Sequence, residues 1–313
     1  MLHYFAFAGL ICLLNRRRHF SIHQRNKVPG PAPSLLFGNM WDIYMHGHIT
    51  MVERWHKLYG PVVGYFFGSI PLINCSDPEY LKNILVKDFQ NFSDRSVRES
   101  KRLTDDQITD MASSALLAGS GTTSTALSFT TKLLLRFPEV QERLRNELLA
   151  ATDRGTKFDF DRMQKCAYME AVILEVLRMY PPLLFFEARH TAQDYEMGDF
   201  TIAKGVEVYV SVRSLHYYEE IFADPYSFQP DRFLPENRTL AMSLAHQPFG
   251  AGPRNCIGKI FAMMAMKTTL AKLLTKYELT SHREPRNNAK LIPSQSRIFQ
   301  KLDGPLLCKL KEI

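Results

Sequence analysis

Several things are scarce in this chain. It has five cysteines in 313 residues, at positions 12, 75, 166, 256 and 308, and no two are spaced as CxxC. That excludes a disulfide framework and a zinc knuckle, and it points to a thiol-reducing compartment. No apolar run reaches the ~20 residues that a helix needs to cross a bilayer. Mean hydropathy is −0.19, which excludes a polytopic membrane protein. There is no internal repeat and no low-complexity tract. Tryptophan occurs only at 41 and 55. Charge asymmetry is confined to one place. Residues 1–30 hold Arg16, Arg17, Arg18, Arg25 and Lys27 and no acid, which leaves +2 of the net +7 for the rest of the chain. A nucleic-acid binder spreads basic residues over a groove-facing surface, so no nucleic-acid partner is expected.

What is present is ordinary globular composition, 45% hydrophobic and 23% charged. The length suffices for one large domain with a sizeable core. The basic cluster sits directly behind an apolar start, Met1 to Leu14. An apolar run followed by an arginine triplet reads as a membrane anchor with a positive cytoplasmic flank. A cleaved signal peptide carries its charge before the apolar stretch, not after it. The expected organisation is therefore an anchor and basic flank at residues 1–20 and a folded domain at 21–313. Because the run is short, the attachment is expected to be shallow. Val28-Pro29-Gly30-Pro31-Ala32-Pro33 follows as a stiff, extended connector.

Local signals divide the remainder. Thr50 and Glu53 form a capping box for a helix that Gly60-Pro61 stops at Tyr59. Residues 62–67 and 70–75 are β-rich and flank Gly68-Ser69, so a hairpin is expected. Ser76 and Glu79, with Pro78, open a helix to about Lys87. Thr104 and Gln107 box the start of a helix that runs to Phe137, roughly 33 residues and about 50 Å long. Pro138 begins another helix to Ala151. A third spans about Lys165 to Tyr180 and stops at Pro181-Pro182. Short strands are expected within 184–212, with turns at Gly198-Asp199 and Lys204-Gly205. Residues 217–255 are turn-rich, a helix follows over 257–277, and a basic, strand-like tail ends the chain. His46-Gly47-His48 has no third ligand nearby and is expected to lie in an exposed loop rather than on a metal.

The strongest chemical signal is Phe249-Gly250-Ala251-Gly252-Pro253-Arg254-Asn255-Cys256-Ile257-Gly258. A Gly-rich loop delivers one cysteine to the expected first position of a helix. Backbone N–H groups and the partial positive charge there favour thiolate. Thiolate is the axial ligand that pushes electron density into a haem iron. Gly250 and Gly252 permit a tight turn, and Gly258 would let the backbone approach a flat ring. Arg254 is placed to meet a carboxylate such as a haem propionate.

This loop resembles the haem-binding loop of the cytochrome P450 monooxygenases, and further motifs agree in order. Glu175-Val176-Leu177-Arg178 resembles the family's ExxR helix and is followed by Tyr180-Pro181-Pro182. Pro230-Asp231-Arg232-Phe233 resembles its PxRF segment. Ala118-Gly119-Ser120-Gly121-Thr122-Thr123 resembles its oxygen-binding AGx(D/E)TT, with Gly121 where the family carries an acid. The apolar start and the Pro29-Gly30-Pro31 connector resemble the microsomal class.

The resemblance covers residues 1–95 and 104–313, and it implies a mainly α fold with small β-sheets (α+β). It also implies a haem-thiolate monooxygenase that inserts one oxygen atom from dioxygen into an apolar organic substrate. The implied cofactor is haem b, with iron ligated through Cys256. The implied partners are an NADPH-dependent flavoprotein reductase, a small apolar substrate and the membrane, at the cytoplasmic face of the endoplasmic reticulum. Cofactor-binding roles fall on Phe249, Gly250, Gly252, Arg254, Cys256, Gly258 and Arg189. Catalytic roles fall on the hydroxyls of Thr122 and Thr123. Glu175, Arg178 and Arg232 are expected to share one carboxylate-centred network that holds the loop before Cys256 in register.

One departure from the pattern is large. In the family, well over a hundred residues separate the early helix-and-hairpin region from the oxygen-binding helix; here Asn91 to Thr104 joins them. The family's WxxxR motif is absent, because Trp41 is followed four residues on by Met45 and Trp55 by Tyr59. The chain therefore resembles an internally deleted family member lacking several central helices, with a seam near 96–103. The alternative function is a non-catalytic, internally truncated protein with weak or no haem binding. With one wall of the pocket missing, the long helix is expected to expose Leu116, Leu117, Leu127 and Phe129.

Overall fold

A computed structural model describes residues 11, 13–93, 104–281 and 306–313. Residues 1–10 and 12 of the expected anchor lie outside the described residues, as does the expected seam at 96–103. Residues 13–20 are helical, and among the described residues no helix is long and apolar enough to cross a membrane.

The fold is mainly α with small sheets. In chain order the helices and strands are α1 (Ile22–Arg25), α2 (Met40–His46), α3 (His48–Tyr59), β1 (Val62–Phe67), β2 (Ile70–Cys75) and α4 (Pro78–Lys82). They continue as α5 (Asp105–Arg136), α6 (Pro138–Ala151), α7 (Phe160–Gln164), α8 (Ala167–Met179), β3 (Phe186–His190), β4 (Tyr195–Met197), β5 (Phe200–Ile202) and β6 (Glu207–Val210). The last are α9 (Val212–His216), α10 (Leu240–Ala245), α11 (Lys259–Leu274), β7 (Tyr277–Ser281) and β8 (Cys308–Glu312).

The main sheet has the order β1-β2-β6-β3. The β1–β2 hairpin is antiparallel, β2 pairs parallel with β6, and β3 returns antiparallel to β6. Two cores result. One packs the sheet residues Ile73, Val208 and Val210 against Leu81, Leu85 and Phe222. The other packs Ala126 and Leu134 of α5 against Leu144 of α6, Ile173 of α8 and Met266 and Leu270 of α11.

Several boundaries follow the sequence closely. Thr104 accepts from Gln107 N while the Gln107 side chain accepts from Thr104 N, so the expected capping box starts α5. Pro138 occupies the first turn of α6, and the Gly68-Ser69 turn joins two strands of the expected lengths.

Other boundaries differ, each for a local reason. Helix α3 starts at His48 behind Gly47, so Thr50 caps nothing and the Glu53 carboxylate pairs with Arg213 instead. Asp77, not Ser76, caps α4, accepting from Glu79 N and Tyr80 N at 2.9 Å each. After Lys82 the chain widens into a π-turn over Asn83–Lys87, which sequence periodicity does not signal. His48 is half-buried rather than in an exposed loop. Its Nε2 meets the Tyr65 hydroxyl at 2.8 Å, and burial lowers its pKa to about 4.

Candidate functional site

The long helix α5 is two different objects. From Ala126 onward it is core: Phe129 is 1% exposed and stacks on Tyr180, with centroids 4.6 Å apart and planes 6° from parallel. Phe129 was expected to be exposed, and Leu127 also packs partly against the core; both are covered by α8 and its neighbours. Before Ala126 the opposite holds. Every residue from 105 to 121 is exposed, with Leu116 at 75% and Leu117 at 74%. Gly119 and Gly121 lie in this part. Nothing among the described residues lies within 4 Å of a Cβ built on either, and the helix passes through them unbroken. Thr122 and Thr123 are half-buried at the border. The Thr122 hydroxyl donates to the Ala118 carbonyl at 2.7 Å. One turn further on, Ala126 joins Met266 of α11 in the helical core.

The cysteine loop hangs between the two cores. Phe249 packs against the helical cluster and Ala251 against the sheet cluster. Gly250 and Gly252 have φ of 74° and 73°, in the left-handed region that glycine adopts without a steric penalty. The segment Gly252–Arg254 is a 3₁₀ turn, and Cys256 N donates to the Phe249 carbonyl at 2.8 Å, closing the loop. Helix α11 begins at Lys259 with Gly258 as its N-cap. Cys256 therefore precedes the helix instead of occupying its first position, and its carbonyl accepts from Lys259 N at 3.3 Å. Its thiol is exposed, whereas Cys75 and Cys166 are buried. Burial pushes those two thiols up to about 12 and about 11, so they stay protonated and inert. Beside Cys256, exposed Arg254, Asn255 and Lys259 alternate with uncovered apolar side chains: Ile257 is 104% exposed, Ile260 79% and Phe261 64%.

Behind the loop lies a buried charge network. Glu175 and Arg178 are both fully buried and form a two-pronged pair, Nε to Oε2 at 2.7 Å and Nη2 to Oε1 at 2.9 Å. Arg232 Nε reaches Glu175 Oε1 at 3.2 Å, and Gln229 N donates to the same oxygen at 3.0 Å. The three residues singled out in the sequence thus meet at one carboxylate.

The connection onward to the cysteine loop runs through two histidines that sequence reasoning missed. His216 Nε2 accepts from Gln247 N at 3.0 Å, so its Nδ1 carries the proton and donates to the Arg178 carbonyl at 2.9 Å. His246 stacks on it at 5.1 Å and donates from Nε2 to the Leu174 carbonyl at 3.0 Å. Burial holds both rings neutral, lowering His246 to about 3. Their spacing in the chain carries no signal; only the fold makes them neighbours.

Arg189 lies on β3, 2% exposed, with its guanidinium 5.8 Å from the Phe89 ring. Arg254 is exposed on the 3₁₀ turn beside Cys256.

The family profile for cytochrome P450 matches residues 28–101 and 96–299. The chain belongs to the cytochrome P450 family. Among its curated relatives, cytochrome P450 3A31 of Mesocricetus auratus is 37% identical over 220 residues, 70% of this chain and 43% of that protein. Probable cytochrome P450 6a13 of Drosophila melanogaster is 32% identical over 232 residues, covering 71% and 46%. Cytochrome P450 6l1 of Blattella germanica is 31% identical over 277 residues, covering 81% and 54%. The chain thus spans about half the length of these relatives.

Cytochrome P450 proteins are haem-thiolate monooxygenases, and the family's cofactor is a haem iron. The residues around Cys256 fit such a group. The thiol is a soft ligand, and it is uncovered next to exposed Ile257, Ile260 and Phe261, apolar surface that a flat macrocycle would bury. A Cβ at Gly258 would stand 3.8 Å from the Cys256 sulfur, in ordinary contact. Among the described residues no cluster of three or more His, Cys, Asp or Glu could hold a metal by itself.

Proposed function

We propose that this chain carries the cysteine-ligand half of a haem-thiolate monooxygenase acting on a small apolar substrate. The observation that supports it is the presentation of Cys256: one exposed thiol on a loop clamped between two cores, above a buried Glu175–Arg178–Arg232 network. Haem b, when bound, supplies the iron at which dioxygen is activated with electrons from an NADPH-dependent flavoprotein reductase. Cys256 is the residue to hold that iron, and Arg254 and Arg189 are the cations to meet its propionates. Phe249, Gly250, Gly252 and Gly258 shape the face that receives it. Thr122 and Thr123 supply hydroxyls on the opposite helix. To pass a proton, Thr122 must first release its 2.7 Å bond to Ala118. With glycine at 121 no carboxylate precedes it, so water has to replace that link.

Attachment to the cytoplasmic face of the endoplasmic reticulum membrane through residues 1–20 belongs to the same reading. Arg16 bonds the Leu35 and Leu36 carbonyls at 2.7 and 2.8 Å, holding the basic flank beside a segment in which Leu36 is 67% exposed and Phe37 62%. Apolar side chains beside arginines suit a headgroup boundary. Fractionation of cells expressing the chain with and without residues 1–20 tests this, and equal solubility of both forms rejects it.

A second reading is supported by the bare half of α5. The chain is then an internally truncated, non-catalytic relative with its seam at 96–103. Leu116 and Leu117 forgo roughly 1.5–3 kcal/mol each of burial, a sizeable share of the 5–15 kcal/mol stability of a domain. One experiment separates the two. Purified chain is titrated with haemin, and the reduced carbon monoxide spectrum is taken for wild type and Cys256→Ser. A Soret band shifted far to the red and lost in Cys256→Ser supports the first reading. No stable Soret band, with Cys256 alkylated at the same rate before and after haemin, supports the second.

A further inference from the structure

Helices α3 and α9 enclose a cleft of about 370 Å³ in which Cys256 takes no part. Its lining includes Glu53 and Lys57 from α3, Arg213 from α9, and Tyr217, Tyr218 and Tyr226. The volume falls in the range of small-molecule sites. The aromatic walls are held in place. The Tyr217 hydroxyl donates to the Met179 carbonyl at 2.7 Å, and that of Tyr218 to Glu220 at 3.1 Å. Tyr217 and Tyr226 stand 5.2 Å apart at 50°.

The charged groups are unequal in number. Arg213 gives its Nε to Glu53, so that pair is neutral overall. Among the described residues, neither Nη of Arg213 has an acceptor, and the guanidinium lies 4.8 Å from the Tyr217 ring. His56, also in the lining, directs its nitrogens at the Gly60 carbonyl and the Asn74 side chain, and burial lowers its pKa. Lys57 is exposed at the rim and has no ion-pair partner among the described residues, and the Glu220 carboxylate stands outside the lining, on the Tyr218 hydroxyl.

We propose that this cleft binds a small aromatic monocarboxylate. The tyrosine rings receive its flat apolar body. The outward N–H groups of the Arg213 fork receive its carboxylate in the planar geometry that arginine offers and lysine does not. Lys57 adds attraction at the rim. A cationic ligand would face the Arg213 guanidinium, whose Nη groups can only donate, and a doubly charged phosphate gains little from three tyrosine walls.

Calorimetric titration of the full chain with 2-naphthoate tests this, with 2-naphthylmethanol as the neutral counterpart. Naphthoate is expected to bind with Kd below about 1 mM and at least about tenfold more tightly than the alcohol. Arg213→Lys should weaken it about tenfold. Tyr226→Ala, at a side chain 65% exposed and therefore safe for folding, should weaken it about fivefold. Lys57→Gln should weaken it about twofold. Cys256→Ser and added haemin should leave it unchanged. Equal affinity for the alcohol, no binding at about 5 mM, indifference to Tyr226→Ala, or displacement by haemin would each overturn the proposal.

Discussion

A Cβ placed on Gly252 would stand 1.9 Å from the Leu85 carbonyl oxygen. No real Cβ sits so close to a backbone atom, and the φ of 73° at Gly252 disfavours any side chain in addition. The contact joins the cysteine loop to the π-turn after α4, so the glycine there is a packing requirement as well as a turn requirement. Gly252→Ala is expected to destabilise the chain by about 2–4 kcal/mol through strain and displacement of the π-turn. Gly258→Ala, where the added atom meets only the Cys256 sulfur at 3.8 Å, should change stability by less than about 1 kcal/mol. Urea denaturation of both variants checks this; equal effects would mean that the Leu85 contact does not constrain the loop.

The bare half of α5 makes a prediction of opposite sign. A Cβ at Gly119 or Gly121 meets nothing among the described residues, so alanine removes the entropic penalty of glycine in a helix and adds no clash. Each substitution should stabilise the chain by about 0.5–1 kcal/mol, read as a rise in the thermal midpoint. A fall would show that this face is packed against something in solution.

Burial makes the Glu175–Arg178 pair expensive to break. Arg178→Ala leaves a carboxylate without its main partner in a fully buried site, and should destabilise by about 3–5 kcal/mol. Arg162→Ala removes an ion pair to Asp153 whose side chains are about half exposed, and should change stability by less than about 1 kcal/mol. Arg178→Lys should not rescue, because an ammonium cannot span both carboxylate oxygens and the His216 carbonyl. Chemical denaturation of the three variants at one pH measures the contrast.

The buried histidines set the acid limit of the fold. His246 is lowered to about 3, His23 and His48 to about 4, and His216 well below the usual value, in each case first by burial. The unfolded rings titrate near 6.5. Below that pH the unfolded chain binds protons that the folded chain refuses. Stability is therefore full above about pH 7 and falls as pH drops through 6.5, until the folded rings themselves titrate, at about 4 for His23 and His48 and about 3 for His246. Each such ring contributes a slope of up to about 1.4 kcal/mol per pH unit. The denaturation midpoint should fall steadily from pH 7 to 4. His246→Phe should reduce that slope by about one proton while losing the bond to Leu174. A slope unchanged in His246→Phe would remove the ring from this account.

Much of the molecule was legible from local chemistry. The capping box at Thr104 and Gln107, the prolines at 138 and 181–182, and the glycines at 68, 198 and 205 punctuate the chain through the backbone conformations they allow. Those constraints act within a few residues, so they survive without tertiary context, and α5, α6 and the β1–β2 hairpin lie where they predict. The ordered motifs around Thr122, Glu175, Arg232 and Cys256 were readable for a similar reason, since each keeps its chemistry within a short stretch. Tertiary packing decided the rest. Helix α3 starts behind Gly47 instead of at Thr50, and Glu53 goes to Arg213, 160 residues away, instead of to a capping box. Whether Phe129 was exposed depended on Tyr180, and the link from Arg178 to the cysteine loop depended on His216 meeting Gln247. The offset of Cys256 from α11 followed from its loop being held at both ends, by Phe249 in one core and by Leu85 against Gly252 in the other. Such contacts join residues far apart in the chain. Their free energy exists only once the cores have formed, so no local pattern in the sequence could announce them.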